Sequence, residues 1–523
     1  MLVCLIASWC PHSRRLLAGP LHDPATRRLL GDRFVPVLVD VDRQPEVPLE
    51  LGAGATPIVL ILGSDGAEQR RILGKDLEQL GPLLLEFISA GRRGRGSGAV
   101  GLTIAESTAS ALLEAEDHDS GGFGHRDKYP HGAALRFALL QGGRTGDRRL
   151  VGLAGTALDA MAGGALHDTV EGGFFRSAQR RDWSQPCTEK PLGPNAVLVH
   201  VLAEAHAVTG RALYRDAAER TLAFMEQVLL DPDTGGYRAG VEGDDAFYGG
   251  SLRKRASSVR PAVTPTVPAA GNARAVQALL RAARAFSRPD LVDRACRITD
   301  GVLERLYDPG REVYHYWDGA FQVGGLAADK TSWIAALVDL AQAPGRSDYR
   351  EVAIDMANLL EERHSAADGA WKDLAGSSPG SRSDRLKTTG EGAEALVRLS
   401  VLTGVDRWRR AAKRSLAAFR TDYRAHGLAA APFAAAAAVV AEPPLAAVVR
   451  GAAWSSLADT LHVVAWRSAG PDRVVVREVS ESAGGGSVEM RTDGASLGRV
   501  DDPRQVPSVL AAAGRAAYPA ASR

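Results

Sequence analysis

"HDTVEGGFF" (residues 167–175) puts an acidic turn, a glycine pair and an aromatic into one short phrase, and the phrase recurs. "DHDSGGFG" (117–124), "DPDTGGYR" (231–238), "DPGREVYHYWDG" (308–319) and "SAADGAWKD" (365–373) each place an acid-and-glycine turn before an aromatic. Gly172 and Gly235 lie 63 residues apart, room for two helices and their loops. "LYRDAAERTLAFMEQVL" (213–229) and "WRRAAKRSLAAFRTDY" (408–423) carry apolar residues at i, i+3, i+4 and i+7, the stripe of a helix with one buried face. "NAVLVHVLAEAHAV" (195–208) and "NARAVQALLRAARAF" (272–286) are apolar nearly all round, as inner helices would be. Inner and outer helices alternating with one kind of turn predict a closed ring of α/α hairpins, the turns circling a central funnel. An open helical solenoid is the competing architecture.

At 523 residues the chain is too long for one ordinary core, so two to four domains are expected. Its 63 basic and 62 acidic residues leave a net charge of +1, and no global field steers it to nucleic acid or anionic membrane. The basic clusters Arg92, Arg93, Arg95 and Arg253, Lys254, Arg255 stand apart from aromatics and from any reader motif, so no nucleic-acid partner is expected. Four scattered cysteines (Cys4, Cys10, Cys187, Cys296) argue for a reducing compartment, hence a cytoplasmic location. The start "MLVCLIASWC" lacks a positive n-region and reads as a strand rather than a signal peptide. The Ala-rich run 429–441 is shorter than the roughly 20 residues of a membrane span and contains Pro432, so no membrane is expected.

The first ninety residues have a different grammar. Val3–Ser8 is an apolar run suited to a strand buried on both sides, and "PHSRRLLAG" continues it as a helix. "FVPVLVDVD" (34–42) reads as a second buried strand and "GATPIVLILGSDG" (54–66) as a third. "EQRRILG" (68–74) is an edge strand and "KDLEQLGPLLLEFISA" (75–90) an amphipathic helix, which completes the minimal thioredoxin-like order. Within it, "ASWCPHSRRL" (7–16) resembles the thioredoxin active-site turn, with Trp9, Cys10 and Pro11 in place. Thr56-Pro57 stands where such folds set a cis-proline facing the thiol.

Ser13 occupies the position of the second cysteine. A thiol at a helix start is favoured as thiolate by the helix dipole and free amide donors. A hydroxyl, however, cannot release a mixed disulfide. Cys4 lies about 20 Å back along its strand, against the roughly 7 Å that a disulfide spans. Cys10 is therefore expected either as a monothiol that holds a protein partner in a mixed disulfide, or as a small apolar residue on a retained turn.

Two blocks, "GGFGHRDKYPH" (121–131) and "LDAMAGGALHDTVEGGFFRSAQRRDWSQPCTEKPLGPNAVL" (158–198), carry a specific likeness. On them the chain resembles, over nearly its whole length, the spermatogenesis-associated thioredoxin-domain family. That resemblance implies a thioredoxin-like domain joined to a six-hairpin toroid similar to those of N-acylglucosamine and cellobiose 2-epimerases and of six-hairpin glycosidases. The expected fold class is α+β multidomain: a thioredoxin-like α/β domain at 1–91, a linker at 92–99, an (α/α)6 toroid at 100–445 and a small C-terminal α/β segment at 446–523. In that last segment "TLHVVAWR" (460–467) and "DRVVVREVSE" read as strands and "DPRQVPSVLAAAG" as a terminal helix.

Departures from the family are extensive. Where it reads C-H-W-C-H, this chain has "SWCPHS". Where it reads P-H-F-E-K-M-L-Y-D-N-A, this chain has "PCTEKPLGPNA", keeping Glu189, Lys190 and Asn195. An acidic family stretch survives as "VEGDDAFYGG", with Glu242, Asp244 and Asp245, and "TPTVPAAGNA" keeps Asn272 alone. The family also has a longer lead before the first strand, whose loss would expose a sheet edge.

Epimerisation or glycoside hydrolysis needs a positioned acid/base pair at the funnel. Glu189, Asp245, Asp329 and Glu391 fall at inner-helix starts or in the loops before them, with Lys190 placed to hold Glu189 ionised. Each of these carboxylates also suits plain capping or loop ordering. Cys10, Glu189, Lys190 and Asp245 are the catalytic candidates, and Asn195, Trp183, Asn272, Asp329 and Glu391 the substrate-binding ones. Trp9, Pro11, Ser13 and Pro57 frame the thioredoxin motif. Trp183, Trp317, Trp333 and Trp371 suit either sugar stacking or core plugging. His118, His125 and His131 with Asp117, Asp119 and Asp127 lack metal-ligand spacing, so a solvated turn is expected there, with no metal and no cofactor. Two functions follow. In one, a redox-degenerate or monothiol protein binds a small molecule, carbohydrate among the candidates, or a protein partner in its toroid. The alternative is a sugar isomerase or epimerase. The lost family residues favour the first.

Overall fold

The computed structural model describes residues 1–7, 10–41, 47–48, 51, 56–62, 68–90, 103–375, 382–471, 473–480, 485–492 and 495–517; Trp9 and the linker at 92–99 lie outside these. The chain divides into two compact units, Met1–Leu102 with Lys372–Leu386, and Thr103–Trp371 with Lys387–Arg523.

In the first unit four strands, β1 (Leu2–Ile6), β2 (Pro36–Asp40), β3 (Ile58–Leu62) and β4 (Glu68–Leu73), form a sheet in the order β2-β1-β3-β4. β1 is parallel to β2 and antiparallel to β3, and β3 is antiparallel to β4. The helices are α1 (Pro11–Ala18), α2 (Pro24–Arg33) and α3 (Leu80–Ala90). Alternation along the strands sorts the apolar run into two faces. Leu2, Cys4, Ile6, Val59 and Ile61 pack with Leu16, Leu30, Leu80 and Leu84 of the helices, while Val3, Leu5, Ile58, Leu60 and Leu62 fill the opposite face. β2 departs from expectation. It is an edge strand rather than a buried one, with Leu38 exposed and only Val39 enclosed, because β1 is its single neighbour among the described residues.

The second unit is a helical ring. Its outer helices are α4 (Ile104–Glu114), α6 (Arg148–Ala162), α8 (Ala212–Phe224), α10 (Asp290–Leu306), α12 (Tyr349–His364) and α14 (Arg407–Ala417). Its inner helices are α5 (Gly132–Thr145), α7 (Leu192–Thr209), α9 (Ala269–Phe286), α11 (Ala327–Ala341), α13 (Arg382–Thr403, which belongs to this unit from Lys387 on) and α15 (Ala431–Ala441). Neighbouring inner helices touch from α5 through α7 and α9 to α11, and α15 packs back on α5. α13 fills the remaining place at glycines. A Cβ on Gly392 would lie 2.7 Å from the Thr331 side chain of α11, and one on Gly390 would lie 2.5 Å from the Phe433 nitrogen of α15. The circuit is closed, which excludes the open solenoid. Tyr423–Ala441 is apolar and long enough to cross a membrane by length and composition alone, yet its buried residues Phe433–Ala436 belong to this ring, and Gly427 breaks it.

The recurrent phrase folds recurrently. Asp117, Asp168 and Asp231 each donate their backbone N–H to the second glycine of the pair, and the first glycine donates back to the aspartate carbonyl. Phe123, Phe174, Tyr237 and Trp371 close each turn as a β-bridge. Gly172 must be glycine: its φ is +77°, and a Cβ there would meet the Arg220 carbonyl at 2.2 Å. The phrase at 308–319 instead opens into a hairpin, β5 (Glu312–Trp317) with β6 (Phe321–Gly324). All of these turns precede inner helices, so they share one end of the ring.

At the C-terminus β7 (Leu445–Gly451), β8 (Arg473–Val479), β9 (Gly486–Thr492) and β10 (Ala495–Val500) form a sheet ordered β8-β7-β9-β10, packed by α16 (Ser456–Ser468) and α17 (Val506–Ala517). "TLHVVAWR" is thus helix rather than strand: Ser455 caps it through Ala458 N–H, and Leu461, His462, Ala465 and Trp466 bury one helical face. The segment belongs to the same compact unit as the ring. His462 Nε2 lies 3.0 Å from the Gln342 carbonyl, and Val475 N–H donates to Gln342 Oε1 at 3.1 Å, so it covers the end opposite the glycine turns.

Candidate functional site

Buried lysines hold the first two glycine turns from inside. Lys128 Nζ donates to Asp117 Oδ2 at 2.7 Å and to the Gly121 carbonyl at 2.8 Å. Lys190 Nζ repeats this with Asp168 Oδ2 at 2.5 Å and the Gly172 carbonyl at 2.8 Å. Rings of Phe175, Phe224 and Tyr248 surround the Lys190 amine, and Arg255 also reaches Asp168, at 2.6 Å. Burial pushes the Lys190 amine down to about 8 against the pull of Asp168.

Glu189 is therefore not the partner of Lys190. Adjacent residues in extended backbone point to opposite faces, and Glu189 turns outward to Arg176 Nε at 3.1 Å. Asp117, expected in a solvated turn, is buried and bonded by Lys128 and by Arg181 Nε at 2.8 Å. No group of three or more His, Cys, Asp or Glu among the described residues is placed to hold a metal.

The other turn candidates have backbone partners. Asn195 Oδ1 accepts the Phe174 N–H at 2.6 Å while its Nδ2 donates to the Phe174 and Pro191 carbonyls. Asn272 does the same for Tyr237 and Pro268. Both are fully buried, so they lock aromatic turns and do not face a ligand. Trp183 is buried with its Nε1 donating to the Ser120 carbonyl at 2.9 Å. Trp333 and Trp371 are core residues, while Trp317 is half-buried on β5. Asp245 is exposed at a helix start and accepts from Thr188 Oγ1 at 2.7 Å. Asp329 is buried at the start of α11, where its Oδ1 accepts the Ala270 N–H at 3.2 Å and its Oδ2 lies 2.9 Å from His315 Nδ1.

In the first unit Cys10 caps α1 with Pro11 at its first position. The thiol is buried and donates to the Thr56 carbonyl at 3.6 Å, next to the cis Thr56-Pro57 bond. Burial alone would raise its pKa, but hydrogen bonds from Ser13 and the His12 N–H bring it below the ordinary thiol value. Ser13 is buried, and its Oγ accepts the Ala7 N–H at 3.1 Å, so it ties strand to helix. Burial pushes the Cys4 thiol up to about 12.

The strongest concentration of chemistry lies on the ring axis. A cavity of about 140 Å³ is lined by residues of all six inner helices and by Pro471 of the C-terminal segment. Its wall carries Arg136, His200, Arg274, Arg281, Arg284 and Arg398 with Asp339, Glu391 and Glu394. Arg136 makes a two-point bond to Glu394, Arg398 Nη2 donates to Asp339 Oδ1 at 2.7 Å, and Arg274 Nη2 to Glu391 Oε2 at 3.3 Å. Burial would raise the three carboxyls, but these guanidiniums hold them below the usual range. Burial, aided by Arg136 and Arg281, pushes His200 down to about 3 and keeps it neutral. Arg284 stacks on Trp466 at 4.8 Å, and burial lowers it to about 9.

Of the sequence candidates only Glu391 lines this cavity. Arg274, Gln277, Arg281 and Arg284 were legible as a polar stripe at 3-4-3 spacing on a helix otherwise apolar all round.

No family model matches the chain. It is 33% identical over 132 residues to mouse (Mus musculus) spermatogenesis-associated protein 20, covering 24% of this chain and 17% of that protein. An uncharacterized Caenorhabditis elegans protein is 23% identical over 263 residues, covering 42% of this chain and 35% of that one. The homology is weak, and the match spans less than a fifth of the length of the mouse relative. Among solved structures, a sugar epimerase from a ruminal bacterium aligns with a TM-score of 0.50 at 14% identity, over 61% of this chain and 87% of that one. The cellobiose 2-epimerase of Bacillus thermoamylovorans B4167 aligns with a TM-score of 0.49 at 15% identity, over 60% of this chain and 83% of that one.

Proposed function

We propose that the helical ring is a ligand-binding module whose axial cavity takes a small polar molecule of carbohydrate type, in a chain whose N-terminal unit is a thioredoxin-like monothiol domain. The cavity carries the reading. Every inner helix contributes to it, and charged or polar side chains from α5, α7, α9, α11 and α13 converge on it, which is the pattern of a site with a few convergent polar groups. Hydroxyls, being donors and acceptors at once, match such a mixed wall.

Binding fits this wall better than proton abstraction does. A general base needs a pKa near the working pH, whereas these carboxylates are held low by arginines and His200 is held neutral with a pKa of about 3. One observation favours the isomerase or epimerase alternative: His315, 41% exposed and paired with buried Asp329, is an oriented imidazole at the glycine-turn end of α11. The ruminal epimerase shares the fold, and fold alone carries no reaction across. In the N-terminal unit, the strand order, the helix starting at Cys10 and the cis Thr56-Pro57 beside its sulfur support the thioredoxin-like reading.

The test is a thermal-shift screen of the full chain against mono- and disaccharides and their acidic derivatives. A saturable rise in Tm that Glu391→Gln diminishes supports the reading, since a ligand that binds only the folded state stabilises it by mass action. No shift with any of them at millimolar concentration refutes it.

A further inference from the structure

The cavity wall is unevenly satisfied. Arg136, Arg274 and Arg398 each hydrogen-bond a carboxylate, but Arg281 and Arg284, three residues apart on α9, do not. Arg284 Nε and Nη2 and Arg281 Nε are enclosed donors with no acceptor among the described residues. The nearest carboxylate oxygen of Glu204 stands 3.7 Å from Arg281 Nη2, beyond hydrogen-bond reach. Asp339, the other carboxylate facing Arg284, is already engaged by Arg398, with Gln277 and Gln342 also against it. Trp466 supplies a ring face to Arg284 but no lone pair in the guanidinium plane.

Charge counting agrees. Five guanidiniums line the cavity against three carboxylates, and with Glu204 behind Arg281 the excess is still one positive charge beside a neutral His200. A buried guanidinium without a carboxylate or phosphate partner is costly, because desolvation is not offset by hydrogen bonds.

We infer that the natural ligand of the ring is an acid: a carboxylate- or phosphate-bearing molecule of monosaccharide size or smaller, its anionic group seated in the plane of Arg284 and Arg281. This rests on the axial cavity being a ligand site and names the class of ligand. The planar forks present paired N–H groups that suit two oxygens of one anion. The volume of about 140 Å³ lies below the roughly 300–1,000 Å³ of pockets that hold drug-sized ligands, which suits a molecule of monosaccharide size or smaller. The hydroxylated remainder would meet the arginine–carboxylate pairs of α5, α11 and α13.

The test is calorimetric titration of the full chain with glucuronate and glucose 6-phosphate, each against glucose and methyl glucoside. The variants are Arg284→Gln and Arg281→Gln, with Arg284→Lys to keep the charge if the neutral variant fails to fold by circular dichroism. At least one acid should bind more tightly than its neutral counterpart, and losing one fork should weaken it roughly 10- to 100-fold, the range for a charged hydrogen bond. Neutral sugars should lose clearly less than the acids do, and Arg284→Lys should fall between wild type and Arg284→Gln for the acids. Equal binding of acids and neutral sugars, or equal losses for both in Arg284→Gln, overturns the anion assignment and leaves the cavity a neutral-ligand site. No binding of either class to the folded chain overturns both readings.

Discussion

Lys190 Nζ lies 2.5 Å from Asp168 Oδ2 with both side chains enclosed, and Lys128 stands in the same relation to Asp117 at 2.7 Å. Each ammonium also takes the carbonyl of the first glycine of its turn. A buried lysine–aspartate pair therefore recurs in the first two turns, while in the third Asp231 takes the part-exposed Arg238 instead.

Removing one member of such a pair leaves a buried charge without its partner. Lys190→Met should cost about 3–5 kcal/mol by urea denaturation. Glu189→Gln, one residue away on the exposed face, should change stability by less than about 0.5 kcal/mol.

Asn195 and Asn272 each satisfy three backbone groups from one amide. Truncation to alanine strands those groups in the interior, and each variant should lose about 1–3 kcal/mol. The loss should show in stability and leave the cavity's ligand affinity unchanged.

The thiol of Cys10 should alkylate with an apparent pKa below the free value of about 8.5. Ser13→Ala should raise that pKa, because Ser13 Oγ is one of the groups that lowers it. Cys4, raised to about 12 by burial, should stay unmodified at neutral pH.

His315 is raised above its ordinary value of about 6.5: burial lowers it, but the hydrogen bond and charge of Asp329 outweigh that. The stability it contributes is fully present below pH 6.5 and is lost as pH rises through its folded pKa. His315→Gln should flatten the thermal-stability profile in that window, just above pH 6.5.

The glycine-aromatic turns were legible because positive φ admits few residues: Gly121, Gly172 and Gly235 all adopt it, and the sequence marks each one. The ring followed from the helix stripes between those turns. The cavity was not legible in the same way, since Arg136 and its partner Glu394 are 258 residues apart and meet only when the ring closes. Lys190 beside Glu189 misled through adjacency, where extended backbone sends neighbours to opposite faces. In "TLHVVAWR" the β-branched valines masked a helical burial pattern that the cap at Ser455 starts.

The most direct test of the ring as a binding module is to fill its cavity from within. Ala335 on α11 lines the axial space, and Ala335→Phe would occupy much of its volume of about 140 Å³. Equilibrium titration of wild type and variant with the best acidic sugar from the screen should give 1:1 saturable binding for the first and none for the second, with helical content unchanged by circular dichroism. Undiminished affinity in the folded Ala335→Phe protein would place the ligand elsewhere and contradict the account.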